Sequence, residues 1–487
     1  MQMLRQARHL IDRYFFIIAS IIIGCKIALS LFAQVEYDGS RQLATGVDWQ
    51  WRKDYSAIFS GDEYEMARTA MYYLNGQGFL ADNHFGRPQF REFQTYKTAF
   101  RPKFNIFLHV LGIPLYNRLN PIRAVMDTGN MQRGNPLAQG YMYWFGLFTF
   151  LVQVLVYPLS IFAFYRLCGF FAAGVHAKIC TMVYAAYPSV FIFMDITVGE
   201  KMAGPIVVIF IAGLLASLTE KISVVRIIAL SVAITFACLM RPHALFVWVV
   251  LFIICAIIAS YLFFRYRTRP MGVRLMLVSG IFIFLAHLPV LYVHYEDFGK
   301  PFLSSQAGLE FFQGHNWYAR GSWYPGIWQE HAKDKEMMRM FASAHDLVRL
   351  DEKQELDFYA SQGWRFIREN PLKEVELIAR KTAIYLLPYN FMNHRINLFL
   401  LFAHLGTLGF FVFSVRKRIF GSDDPPQIMR YVIIIAPVMA CYGLTLIFFV
   451  GERWRFYAEP FMVLLAYLFF LDVRKKILAR STQSKQV

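Results

Sequence analysis

The chain has 487 residues, of which 57% are hydrophobic and only 17% charged, with 48 Phe, 27 Tyr and a mean hydropathy of +0.38. Soluble domains carry about 25% charged residues, so this composition excludes an ordinary soluble protein as well as disorder, collagen and a disulfide-rich secreted scaffold. Fifty basic against 33 acidic residues give +17 and a pI near 9.5, a balance that in a soluble protein would indicate nucleic acid.

A helix needs roughly 20 mostly apolar residues to cross about 30 Å of hydrocarbon. Ten runs reach or approach that length, at 14–33, 142–165, 179–195, 203–219, 224–240, 244–264, 275–293, 396–415, 431–450 and 459–473. The first follows Arg5, Arg8 and Arg13 and ends in Leu31-Phe32-Ala33-Gln34 with no small-residue cleavage pattern, so it reads as a retained signal anchor. The expected fold is an all-α polytopic membrane protein. Residues 1–293 form a seven-span module that includes a first outer loop at 34–141, residues 294–395 form a second, helical outer loop, and residues 396–487 form three spans with a basic tail.

With the N-terminus inside, the segments 1–13, 166–178, 220–226, 265–274, 416–430 and 474–487 hold 20 Lys and Arg against four acidic residues, a net +16. The remainder has 30 basic and 29 acidic residues. Positive charge retained on the cytoplasmic side therefore explains the balance without nucleic acid as a partner. Both termini are expected to be cytoplasmic and both long loops exoplasmic, as in a protein of the bacterial inner membrane. Cys25, Cys168, Cys180, Cys238, Cys255 and Cys441 all fall in or beside spans. No Cys/His spacing suits zinc, and no Walker, GxGxxG or GxSxG motif is present.

In the first outer loop, residues 61–79 read as a short amphipathic helix with Ala67, Ala70, Met71 and Leu74 on its apolar face and Asn75-Gly76 as its stop. Asp62 opens it, where helix amides favour an ionised carboxylate; the same residue would equally serve as a simple N-cap. Arg101-Pro102 precedes an apolar stretch, 104–116, too short and proline-interrupted to span and expected to lie along the interface. Arg101 there suits an anionic lipid head group or merely the lipid surface.

Further charged residues fall on the same predicted side: Asp195, Glu200 and Lys201; Arg241-Pro242-His243; and Glu452-Arg453-Trp454-Arg455-Phe456-Tyr457. Singly, such residues often only anchor helix ends. Together they place candidate bases and phosphate-holding cations on one face. In the second outer loop, segments 331–348 and 351–369 are helical in pattern, Asn370-Pro371 interrupts them, and 372–387 resumes with Leu377, Ile378, Ile384 and Leu387 on an apolar face. Before them, His315, Asn316 and Trp317 sit among aromatics in a stretch that suits a sugar surface or an interfacial aromatic belt.

The ordered set resembles the GT-C superfamily of integral-membrane glycosyltransferases, in its protein O-mannosyltransferase and aminoarabinose-transferase-like branch. The likeness rests on Asp62-Glu63 with Gly76 and Gly78, Arg101-Pro102, Tyr187-Pro188 and Glu200, and Arg241-Pro242. It continues through Gly314-His315-Asn316 with Ala360, Asn370-Pro371 and Lys381, to Arg453-Trp454-Arg455 with Pro460. Arg101-Pro102-Lys103 departs from the double proline of many relatives, and Trp454 stands where Tyr is frequent.

The resemblance implies transfer of a sugar, usually with inversion, from a polyprenyl-phosphate donor to a glycan, lipid or protein acceptor on the exoplasmic face. It implies Asp62 as general base, Arg101 on the lipid phosphate, and Lys201, Arg241, Arg453 and Arg455 as further donor-phosphate contacts. Glu63 shares the catalytic position. Glu63 and Glu200 would orient the acceptor or a divalent cation, and Glu200, His243, His315, Asn316 and Trp317 are the acceptor or sugar contacts. No cofactor is required by the sequence. The competing expectations are a flippase of lipid-linked sugars and a glycan polymerase or ligase; no internal repeat favours the transporter.

Overall fold

The computed structural model describes the chain apart from residues 1, 39–42, 50–60, 79, 83–94, 98–102, 127–130, 132–134, 173, 188–197, 267–271, 304–305, 322–351, 387–388, 391–394, 397, 423, 449–456 and 484–487. The described residues are mainly helical. Among the described residues, five helices are long and apolar enough to cross a membrane: Pro136–Gly169, Met202–Thr219, Pro242–Tyr261, Val273–Phe298 and Pro426–Ile447. The expected runs at 142–165, 203–219, 244–264, 275–293 and 431–450 fall on them. Val224–Met240 and Leu401–Ser414 are apolar but shorter.

In chain order the helices are α1 (Gln2–Phe32), α2 (Gly61–Leu74), α3 (Lys103–Leu119), α4 (Pro136–Gly169), α5 (Val175–Ala185), α6 (Val198–Thr219), α7 (Val224–Met240) and α8 (Pro242–Tyr266). They continue as α9 (Val273–Phe298), α10 (Gln306–Gly314), α11 (Glu352–Glu369), α12 (Pro371–Leu386), α13 (Leu398–Gly409), α14 (Pro425–Ile447) and α15 (Glu459–Gln483). Three small antiparallel hairpins interrupt the expected all-α pattern: Ala33–Asp38 with Leu43–Trp49, Leu80–Asp82 with Thr95–Lys97, and Tyr389–Asn390 with Arg395–Ile396. The first alternates Val35, Tyr37, Val47 and Trp49 with polar residues, a strand pattern inside an outer loop.

The element boundaries follow local chemistry. Asn135 caps α4 by accepting from the Leu137 amide at 2.9 Å, with Pro136 at the first helical position. Gly299 closes α9 in the left-handed conformation, φ +70°. The core is one large apolar cluster built from α4 to α8 with α14 and α15. α13 packs along α15, where Gly406 lies so close to Ala466 that a side chain there would overlap it.

Charge pairs close the end of the bundle that the sequence assigns to the inner side. Lys178 of α5 meets Asp12 of α1 at 2.6 Å. Beyond α13 the chain winds wider, as π-helix over Phe410–Ser414 and Arg416–Phe420. That winding brings Ser414 to Asp472 Oδ2 at 2.9 Å and lays Arg418 two-pronged on the Asp472 carboxylate, Nε at 2.9 Å and Nη2 at 2.6 Å, while Arg418 also donates to the Tyr431 hydroxyl.

Removing one partner of this fork strands the other. Arg418 and Asp472 keep only 16% and 18% of their side-chain surface. Asp472→Ala is expected to destabilise the protein by about 2–3 kcal/mol, below the range of roughly 3–5 for a fully buried pair because both side chains keep some exposure, and Arg418→Lys by less; thermal unfolding in detergent reads both.

Candidate active site

The first candidate residues sit on a helical platform. Tyr64, Met66, Ala67, Ala70 and Met71 bury one side of α2 against α3, as the sequence pattern implies for Ala67, Ala70 and Met71; Leu74, assigned to the same face, is exposed. Gly76 ends α2 at φ +76°, with the Gln77 amide returned to the Tyr72 carbonyl at 2.9 Å. Asp62 and Glu63 occupy the first turn of α2, and their side chains lie outside the described residues. Arg68, which the sequence reading passed over, is buried and directs Nε at the Met131 carbonyl, 3.5 Å away. α3 holds α2 against the bundle through His109, whose Nδ1 lies 2.8 Å from the Tyr141 hydroxyl of α4. The other side of α3 exposes Leu111, Leu115 and Leu119.

A second group forms where two turns meet. Arg241 is the C-terminal cap of α7 and Pro242 begins α8, so the two helices reverse direction over a single half-buried residue. His243 then stacks on Tyr457, ring centroids 6.3 Å apart and planes 19° from parallel. Tyr457 and Glu459 are buried at the start of α15. The Arg241–His243 turn therefore lies beside the chain that immediately follows Arg453 and Arg455. Those two residues, like Arg101, are outside the described residues, as are the side chains of Glu200 and Lys201 in the first turn of α6.

The third group is a buried ionisable cluster at the end of α14. His315 Nδ1 lies 2.9 Å from Glu374 Oε2, and His315 Nε2 lies 2.7 Å from the Ile447 carbonyl. A carbonyl only accepts, so Nε2 carries a hydrogen. Lys381 Nζ is 3.2 Å from the same nitrogen and donates to the Leu446 carbonyl at 3.0 Å. Glu374 and Lys381 share the inward face of α12 with Leu377 and Tyr385. Burial pulls the Lys381 amine down from its ordinary 10.5 to about 8, and the nearby Glu374 carboxylate opposes that shift.

The cluster satisfies two carbonyls left open where α14 ends, and it fastens the second outer loop to a membrane helix. Gly314 permits the approach, because a Cβ there would overlap the Phe448 carbonyl. Asn316 is equally committed: its amide donates to the Phe312 carbonyl at 2.7 Å, and its oxygen accepts from the Tyr318 amide at 2.8 Å. Trp317 is exposed, edge-on to Phe366 with centroids 5.6 Å apart. Thus His315 and Asn316 spend their polar atoms on protein partners, while Trp317 presents an open aromatic face. Sequence reasoning missed Glu374. Its seven-residue spacing from Lys381, with Leu377 between them, was the available signal for two charges on a buried face. Of the residues expected on one apolar face of α12, Leu377 is buried and Ile378 exposed; Leu387 and the helical segment at 331–348 are outside the described residues. Among the described residues, no group of His, Cys, Asp and Glu is placed to hold a metal ion.

No known protein family and no curated protein matches the chain. Among solved structures, the archaeal oligosaccharyltransferase AglB from Archaeoglobus fulgidus, determined with an inhibitory peptide and a dolichol-phosphate, aligns with 97% of this chain at 12% identity and a TM-score of 0.44. The aligned part is 52% of the AglB chain, so this chain spans about half the length of that protein.

Three outcomes follow from the cluster. Glu374→Ala leaves Lys381 without its acidic neighbour and is expected to cost about 3–5 kcal/mol. Because the folded Lys381 amine binds its proton more weakly than the unfolded one, stability should rise with pH between about 8 and 10.5; Lys381→Met should flatten that rise, measured as unfolding temperature against pH. Gly314→Ala should lower the unfolding temperature and loosen the loop, detected as faster proteolysis between α10 and α12.

Proposed function

We propose that the protein is an integral-membrane glycosyltransferase that takes a sugar from a polyprenyl-phosphate donor and passes it, with inversion, to an envelope glycan, lipid or protein acceptor at the exoplasmic face. The observation that carries this reading is the stacking of His243 on Tyr457. It draws the Arg241 turn, between two apolar helices, to the chain following Arg453 and Arg455. A departing lipid phosphate calls for cations of this kind, and in the sequence Arg453 and Arg455 stand four and two residues before Tyr457.

In this reading the Asp62 carboxylate accepts the proton of the acceptor hydroxyl as its oxygen bonds to the anomeric carbon. The bond from that carbon to the donor phosphate oxygen breaks, and the phosphate leaves on its lipid. Arg101 stabilises the charge that develops on the leaving group, with Lys201, Arg241, Arg453 and Arg455 as supporting cations. Glu63 and Glu200 orient the acceptor or a divalent cation, and His243 and Trp317 line the sugar path. His315 and Asn316, whose polar atoms are engaged within the protein, hold that region in shape. A lipid-borne donor needs no nucleotide pocket, since it enters from the bilayer. The setting is the bacterial inner membrane with ten spans and both termini cytoplasmic.

The test is transfer of radiolabelled sugar from synthetic polyprenyl-phosphate donors in proteoliposomes. Asp62→Asn is expected to lower kcat by about 10²–10⁴-fold, the range for losing a general base. Arg101→Ala should lower kcat/KM for donor by about 10²–10³-fold, as for a lost transition-state donor. Transfer by Asp62→Asn at the wild-type rate would remove Asp62 as base, and donor translocation without transfer would replace the enzyme reading with a flippase.

A further inference from the structure

Three differently composed faces run along α12. At 3.6 residues per turn, Leu372, Val375, Ile378, Ala379, Thr382, Ala383 and Leu386 fall within one arc of roughly 140°. Leu372 is 86% and Val375 63% exposed, and Ile378, Ala379, Ala383 and Leu386 are exposed as well. The opposite arc is the buried one, with Glu374, Leu377, Lys381 and Tyr385. Between them stands a charged ridge in which Glu376 pairs with Lys373 at 2.8 Å and with Arg380 at 3.0 Å. A helix in water buries its apolar arc and wets the rest; α12 buries one arc and leaves a second, wholly uncharged arc open.

The neighbours of α12 fix its level. Tyr385 donates to the Val438 carbonyl at 3.1 Å, Thr382 lies 2.9 Å from the Tyr442 hydroxyl, and Lys381 reaches the Leu446 carbonyl. The C-terminal half of α12 thus runs beside residues 438–446 of α14, within the membrane-crossing helix Pro426–Ile447. Met439 and Ile447 of that same stretch are themselves exposed apolar residues.

We infer that α12 enters the outer leaflet obliquely beside α14: its exposed apolar arc docks into the acyl and headgroup boundary, most deeply at its C-terminal end, and its charged ridge faces water. The occupant is bilayer lipid, because the arc continues the exposed apolar surface of α14 at the same depth and carries no charge for a polar partner to meet. Its C-terminal end lies deeper than its N-terminal end, since Tyr385 is bonded eight residues below the level of Leu446 on α14. The inference stands apart from the reaction proposed above.

The test places single nitroxide labels on the full-length protein with Cys25→Ser as background, reconstituted in phosphatidylethanolamine and phosphatidylglycerol nanodiscs. The sites are Val375→Cys, Ala379→Cys, Ala383→Cys and Leu386→Cys on the arc, with Glu376→Cys and Arg380→Cys on the ridge. Collisions with oxygen should exceed those with a water-soluble nickel chelate several-fold on the arc, increasing from 375 to 386, and the order should reverse on the ridge. Equal nickel access at arc and ridge would put the arc in water and overturn the inference. Loss of both collisions on the arc with spin–spin broadening would overturn it in favour of a second copy of the chain. Ala379→Cys and Ala383→Cys alter only exposed alanines, so the result does not depend on replacing a larger side chain.

Discussion

A membrane helix that stops beneath a polar loop leaves carbonyl groups facing away from water, and the second outer loop is built around meeting that need at α14. Lys381 and His315 bring donors to the carbonyls of Leu446 and Ile447, and Glu374 holds the imidazole in place. An unsatisfied backbone acceptor in this setting costs several kcal/mol. The cluster removes that cost and in the same contacts joins α10 and α12 to the bundle. Everything the second loop contributes, from Trp317 to the apolar arc of α12, inherits its position from these contacts.

The first outer loop solves the same problem with apolar packing. α2 is small-faced, with Ala67 and Ala70 fully buried, so it can lie close against α3. α3 is in turn tied to α4 by His109 and Tyr141. The first turn of α2 therefore rides on two layers of helix, and a carboxylate carried there has a fixed origin. Elsewhere in the bundle, α7 passes to α8 over Arg241 alone. A site assembled from such corners can hold a reacting geometry without relying on a long loop.

What was legible in the sequence followed the strength of the local signal. The five long apolar helices are plain because an unbroken run of some 20 apolar residues has no competing explanation in a chain so poor in charge. The break at Asn370-Pro371 is plain because proline cannot continue a helix and here begins the next. α5 was displaced: the apolar count starts at residue 179, whereas the helix starts at Val175, after Gly174 at φ +59°, because its first turn carries the polar His176 and Lys178 that an apolar count passes over. Ile378 was grouped with Leu377 on one apolar face, although Leu377 is buried and Ile378 exposed, since periodicity finds apolar residues but does not say which of two faces is covered. Glu374 and Lys381 were hidden by the general rule that charges face water. The partnership of His315 with Ile447, 132 residues apart, had no local signature at all.

The two ends of the bundle use cations differently, and the difference follows from the medium. At the inner end Lys178 and Arg418 are paired with the aspartates Asp12 and Asp472, which retain some exposure. At the other end the buried cations meet neutral oxygens. Lys26 is fully buried, lies over the Tyr157 ring, bonds its hydroxyl at 2.5 Å and reaches the Tyr187 carbonyl at 3.5 Å, while Tyr157 donates to Ala185 at the last turn of α5. Lys381 does the same for α14. A lysine set on the negative end of a helix gains from its dipole; Lys26 does so through neutral oxygens, whereas Lys381 also has the Glu374 carboxylate nearby. In the sequence Lys201 follows the first of these helix ends, and Arg453 and Arg455 follow the second. The roots of those segments are thus pinned by lysines engaged within the fold, Lys26 and Lys381.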